Sequence, residues 1–158
     1  MSERPSAAHV KMLVHLEQDE DDYPPTTEES LWVLPTEGGL FQVDNIPFFA
    51  WDLALGDVVE ADPEEGGWRF RRVVRRSGHA TLRLLLYEVA EVPVAIERFA
   101  GLGCLSERSQ IPGLIALDVP PSTPWREVKR LLVEGEAEER WGYEEACLPN
   151  DSSPRARE

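Results

Sequence analysis

Trp68-Arg69-Phe70-Arg71-Arg72-Val73-Val74-Arg75-Arg76-Ser77-Gly78-His79-Ala80-Thr81-Leu82-Arg83-Leu84-Leu85-Leu86-Tyr87 carries six arginines and no acidic residue. It contributes +6 to a chain whose net charge is −14, so the rest of the molecule carries −20. Trp68–Arg76 and Ala80–Tyr87 read as two strands of a hairpin closed by Ser77-Gly78-His79. In a strand, successive side chains point to opposite sides. Arg69, Arg71, Val73 and Arg75 would then share one face, and Phe70, Arg72, Val74 and Arg76 the other. Neither face is cleanly apolar, so a bulge or strong twist is expected at Val73-Val74.

Upstream, the regular segments read as short strands. Val10 to Leu16 alternates and reads as a first strand. Asp19-Glu20-Asp21-Asp22-Tyr23-Pro24-Pro25 follows as an acidic loop. Ser30–Leu34 and Leu40–Val43 read as strands around a Gly38-Gly39 turn. Asp44–Trp51 is an apolar loop, because Pro47 removes a backbone donor. Val58–Ala61 is a short strand, and Asp62–Gly67 a turn. Five or six short antiparallel strands without a helix are expected to curl into a small barrel, which removes open edges.

Downstream, the period changes. Val92, Ile96, Phe99 and Ala100 share a helical face, with Pro93 in the first turn and Gly101 and Gly103 as the stop. Leu105–Gln110 offers an edge strand, and Leu114–Val119 is a short buried one. Thr123-Pro124 reads as a cap and first helical proline. Trp125, Val128, Leu131 and Leu132 stripe the second helix, in which Gly135 is a weak point. Trp141–Leu148 is the last strand. From Ala80 onward this is a split βαβ pattern, so the fold class expected is α+β: an N-terminal antiparallel barrel packed on a ferredoxin-like sandwich. The divisions are 1–29 for the first strand and acidic linker, 30–79 for the barrel, 80–148 for the sandwich and 149–158 for a disordered tail. The arginine-rich hairpin would be the seam, and seams between subdomains commonly hold binding sites.

At 42% apolar residues the chain can build a core, and it holds neither a long apolar run nor a secretory signal pattern. A cytoplasmic location is expected. The acidic balance opposes binding to DNA or anionic membrane and favours a basic partner. Cys104 and Cys147 lack metal-ligand spacing and read as two reduced, partly buried thiols, with a redox pair as the alternative. His9 and His15 have no neighbouring cysteine, and Asp19–Asp22 lacks the glycine and spaced oxygens of a calcium loop. No metal or cofactor is expected.

Two surfaces stand as candidate sites. Arg75, Arg76, Ser77, His79, Thr81 and Arg83 cluster guanidinium groups, hydroxyls and an imidazole beside Gly78, a set suited to an anion or a partner. Pairing of these arginines with this chain's own carboxylates, above all those of the second helix, is the competing reading. Glu127, Glu134 and Glu138 on the outer helix face form an acidic partner surface. Ser77 and His79 resemble a nucleophile and base, but no third group that would orient the imidazole can be named from sequence. Ile46, Phe48, Phe49 and Trp51 would either plug the barrel or form an exposed patch. Asp44 and Asn45 would fix their turn through bonds to backbone.

Asp44-Asn45-Ile46-Pro47-Phe48-Phe49-Ala50, then Gly56-Asp57-Val58-Val59, then Arg75-Arg76-Ser77-Gly78-His79-Ala80-Thr81-Leu82-Arg83 resembles the uncharacterised bacterial family known as domain of unknown function 4265. The resemblance runs from about Leu31 to Leu148. Ala80 departs from it, where a small polar residue is expected. The resemblance implies a bacterial cytosolic setting and transfers no catalytic residue. The function expected is a non-enzymatic acidic binding or regulatory protein whose basic partner could be a toxin, as for an immunity protein. The alternatives are a module binding a phosphate-bearing metabolite or RNA end at the arginine-rich hairpin, and an enzyme using His79.

Overall fold

The computed structural model describes residues 7–149. Five strands close into a barrel: β1 (Val10–His15), β2 (Glu28–Pro35), β3 (Phe41–Val43), β4 (Val58–Glu64) and β5 (Gly67–Arg75). Each pairs antiparallel with the next. Five alternating strands leave the first and last pointing the same way. The closing pair, Met12 opposite Trp68 and Leu13 opposite Arg69, is therefore parallel. β1 lies between β2 and β5, so the strand set apart with the acidic linker is a stave of the barrel. Met12, Leu31, Val33, Val43 and Val59 fill its interior.

Beyond the barrel, β6 (Ala80–Leu86), α1 (Val92–Ala100), β7 (Leu105–Arg108), β8 (Leu114–Val119), α2 (Trp125–Ala137) and β9 (Trp141–Cys147) form a second unit. Its sheet has the order β7-β8-β6-β9, antiparallel throughout. Leu82, Leu84, Leu86, Ile115 and Leu117 meet Val92, Ala95 and Phe99 of α1 and Val128, Leu131 and Leu132 of α2. The opposite side of the sheet carries Thr81, Arg83 and Asp118 and meets the long β3–β4 connection. Every residue of β8 is buried, as a strand covered on both sides requires. The fold is thus α+β, with a closed barrel, a second sheet and two helices.

Several expectations are corrected. β5 and β6 are consecutive but do not pair. β5 belongs to β4 and β1, and β6 to β8 and β9. The Ser77–His79 link is a crossing between layers, because Leu82, Leu84 and Leu86 find their apolar partners under the helices. β4 runs through Asp62-Pro63-Glu64 and turns only at Glu65-Gly66. Pro63 is tolerated there because β3 pairs with β4 only at Val58 and Val59, leaving that edge open. At the start of α2, Thr123 is no cap: its hydroxyl faces the Gly103 carbonyl, and the helix begins at Trp125. The expected tail lies outside the described residues beyond Pro149.

The expected bulge has a consequence for the arginines. Val58 faces Arg75 and Val59 faces Val73, while Glu60 faces Arg72 and Ala61 faces Phe70. Val74 and Arg71 are each extra residues on β5. Each insertion flips the alternation, so Trp68, Phe70 and Val73 pack on the barrel core while Arg71, Arg72 and Arg75 stay exposed. The two-faced distribution expected for a regular strand does not arise.

Candidate functional site

The seam is built where the β3–β4 connection lies across β6. Arg83 sits mid-strand on the barrel-facing side and is 3% exposed. Its guanidinium donates to the carbonyls of Pro47 (3.1 Å), Ala50 (3.0 Å) and Phe49 (3.1 Å). Its Nε donates to Glu144 on β9 at 2.8 Å, and the group lies 5.5 Å from the centre of the Trp51 ring. A planar five-donor fork suits such a cluster of acceptors. From the other side, the buried Glu29 carboxylate accepts the amide N–H groups of Phe48 (2.6 Å), Phe49 (3.1 Å) and Ala50 (2.8 Å). One cation and one anion therefore clamp the same short apolar loop.

The neighbouring predicted residues act likewise. Thr81 Oγ1 donates to the Leu53 carbonyl (2.9 Å), Ser77 Oγ to that of Leu55 (2.7 Å) and Arg76 to that of Asp52 (3.1 Å). Asp57, buried at the head of β4, accepts the Ser77 amide (2.9 Å) and the Ala54 amide (3.0 Å). The structure brings Arg76, Ser77, His79, Thr81 and Arg83 together along one line, against this chain's own 47–57 segment. Arg75 stands apart, exposed and without an ion pair among the described residues. The partners of Arg69, Arg71 and Arg72 are Glu28, Glu60, Asp62 and Glu64 of the barrel strands, not the carboxylates of α2. Hydrogen bonds from Arg72 to Glu60 and from Arg69 to Glu64 hold both carboxyls below their usual range.

His79 has the orienting group that sequence reading could not name. Nδ1 donates to the carboxylate of Asp118, 2.9 Å from each oxygen. Asp118 is fully buried on β8. Burial pushes its carboxyl above the usual range, the bond from His79 pulls it down, and Asp57 pushes it up again. Across the ring lies Gly56, whose φ of +88° suits glycine; a β-carbon there would sit 3.0 Å from Ser77 Cβ and 3.8 Å from His79 Cδ2. An aspartate-held imidazole is the arrangement of a general base. Here the Ser77 hydroxyl donates to Leu55, which turns its proton away from the imidazole. Asp118 had a signal in the sequence, as the one polar residue in Leu114–Val119. Glu29 had none, because its role exists only once the 48–50 amides reach it.

The remaining candidates are also placed. Glu127 and Glu134 lie on α2 and Glu138 just past its end, each facing an exposed arginine: Arg130 at 3.1 Å, Arg98 at 3.9 Å and Arg140 at 3.0 Å. Asn45 accepts the Trp32 amide as expected of a turn residue (3.0 Å), whereas Asp44 binds the His9 side chain (2.6 Å). Ile46 is buried, Phe49 packs on the barrel core and Phe48 is half-buried. These residues floor a cleft of about 560 Å³, whose far wall is the end of β7 and the turn into β8. His79 does not line this cleft.

Cys104 and Cys147 are both buried thiols. Burial, with the charge of Asp118 nearby, pushes the Cys104 thiol up to about 11. Folding holds its proton above the ordinary thiol value of about 8.5. Stability from this group is whole below that value and is lost as pH rises toward about 11. Ellman titration at pH 8 should find no reactive thiol in the native protein and both after unfolding in guanidinium. Rapid native labelling of Cys104 would contradict its burial.

The family described as Domain of unknown function (DUF4265) matches residues 29–143. No match was found among curated proteins. A solved structure described as a hypothetical protein from Neisseria gonorrhoeae superposes with a TM-score of 0.75 at 24% identity, over 91% of this chain and 98% of that one. That likeness speaks for the fold. With the matched residues running from Glu29 in β2 to Tyr143 in β9, and so over most of the seam, the chain belongs to the DUF4265 family.

Proposed function

We propose that this is a non-enzymatic binding protein whose acidic surface engages a basic protein partner, in the manner of an immunity protein against a toxin. One observation carries the reading. Within the molecule, barrel carboxylates pair with Arg69, Arg71 and Arg72, Glu144 pairs with Arg83, and Arg76 bonds the Asp52 carbonyl beside Asp57; of the six arginines, Arg75 stays exposed without an ion pair among the described residues. A surplus of negative charge is left facing outward, in the exposed stretch Glu17–Asp22 and around the end of α2, where Glu134, Glu136, Glu138 and Glu139 outnumber Arg140. A surface of one sign attracts the opposite sign and speeds encounter.

We read the second unit as a ferredoxin-like sandwich. The element order β-α-β-β-α-β and the strand order β7-β8-β6-β9 support it. A cytoplasmic setting fits this reading, and no helix among the described residues is long and apolar enough to cross a membrane.

The test is a tagged pull-down from the native host, run with the wild type and with a Glu127→Lys, Glu134→Lys, Glu138→Lys variant. A stoichiometric basic partner should be retained by the wild type at about 50 mM salt. About tenfold less should be retained at about 300 mM salt or by the variant, since exposed charges are screened over about 10 Å. Retention unchanged by both salt and reversal would refute the reading.

A further inference from the structure

We infer that the cleft between the barrel and the β7–β8 turn seats an arginine side chain of that basic partner. This rests on the reading above and adds where recognition occurs and what chemistry it uses. A volume of about 560 Å³ is in the range of ordinary ligand clefts. Ile46, Phe48, Phe49 and Ile111 make much of it apolar and aromatic. Three carboxylates line it, in three different states. Glu29 is engaged by three backbone amides. Glu28 pairs with Arg69. Glu107, at the end of β7, is steered by Asn45 Nδ2 (3.2 Å) and has no cation at ion-pair distance among the described residues. Arg108, also on the rim, forms no ion pair with it.

A second observation lies on the same wall. Ser30 Oγ is buried and has no hydrogen-bond partner, and Ser30 lines the cleft. Such orphaned polar atoms are uncommon, because leaving one unpaired in a folded protein is unfavourable. The site thus offers an oriented, uncompensated carboxylate, a hydroxyl without a partner and aromatic rings. Arginine answers all three: its fork binds carboxylate in a fixed geometry, its spare N–H groups reach a hydroxyl and its plane stacks on aromatic faces. An apolar residue beside it would cover Ile46 and Ile111.

The probe is an acetylated, amidated Leu-Arg-Leu-Arg peptide titrated into isotopically labelled full-length protein and followed by amide chemical shifts. Saturable shifts should gather at Ser30, Ile46, Phe48 and Ile111. Glu107→Gln keeps the Asn45 bond and the side-chain shape, so it should leave the fold intact and weaken binding about tenfold. Replacing arginine in the peptide with neutral citrulline should do the same. Glu37→Gln, in the exposed turn between β2 and β3 and outside the cleft, should bind the probe within about twofold of wild type. Shifts confined to α2, an unchanged Kd in Glu107→Gln, or equal binding of the citrulline peptide would each overturn the inference; the last would make the cleft a site for apolar ligands. Failure here with a salt-sensitive partner still captured leaves the acidic-surface reading standing. Cleft binding without partner capture removes that reading and leaves the cleft.

Discussion

Arg83→Ala should lower the unfolding free energy by about 3–5 kcal/mol, since each of three carbonyls left without its donor costs about 1–3 kcal/mol. The substitution strips hydrogen bonds from three carbonyls at once, Pro47, Phe49 and Ala50, and leaves Glu144 facing the seam without its cation. It also removes the group beside the Trp51 ring. Arg83→Lys keeps the charge but not the fork. One ammonium cannot replace donors directed at three carbonyls and a carboxylate, so most of the loss should persist. Urea unfolding followed by far-UV circular dichroism gives the number. Hydrogen exchange gives the location, because the amides of 48–50 should open well before those of the barrel interior. Those amides remain bonded to Glu29 in the variant. Their protection therefore tests whether one clamp suffices. A loss below about 1 kcal/mol, the net value of an ordinary hydrogen bond, would mean that Arg83 is not holding the loop.

The same residue separates what the sequence discloses from what it withholds. Charge inversion drew attention to the segment around Arg83, and the segment is indeed the junction of the two units. Adjacency in the chain would pair β5 with β6, and the fold does not. Adjacent strands are the usual choice, but register is decided by where the apolar side chains find cover. For Leu82, Leu84 and Leu86 that cover is α1 and α2, elements that come later in the chain. The bulge at Val74 is legible in the sequence and the one at Arg71 is not. Two valines among arginines signalled a broken alternation, but only the register shows that the break turns the arginines outward. Asp118 was written plainly as a carboxylate inside an apolar strand, yet its partner His79 is 39 residues away. Acceptors on the backbone leave no trace in sequence at all. That is why Ser77, Thr81 and Arg83 read as an open anion site when their hydrogen bonds go to Leu55, Leu53 and the 47–50 carbonyls.

Gly135→Ala supplies the second large effect, with a sign that helix propensity gets wrong. Gly135 lies inside α2, where alanine is favoured over glycine by about 1 kcal/mol. On propensity alone the change should stabilise. In the fold, a β-carbon at this position would sit 2.0 Å from Cζ2 and 2.1 Å from Cε2 of Trp141. The indole cannot easily retreat. It is 1% exposed, packs 5.7 Å from the ring of Phe99, and its Nε1 donates to the Leu132 carbonyl at 3.1 Å. Either α2 lifts from the sheet or the ring leaves its place, and overpacking of this kind costs about 1–3 kcal/mol or more. We expect a net loss of about 3 kcal/mol, at the upper end of that range because the overlap is with a ring rather than a flexible chain end. The denaturation midpoint should fall with an unchanged slope. A stabilised variant would mean that Trp141 does not lie against α2. That would also undo the placement of β9, since Trp141 opposite Leu86 fixes the register that sets Glu144 opposite Arg83. The missing side chain at Gly135 and the buried guanidinium at Arg83 are thus two ends of one constraint. The first lets β9 close under the helix, and the second uses that position to hold the barrel loop to the sheet.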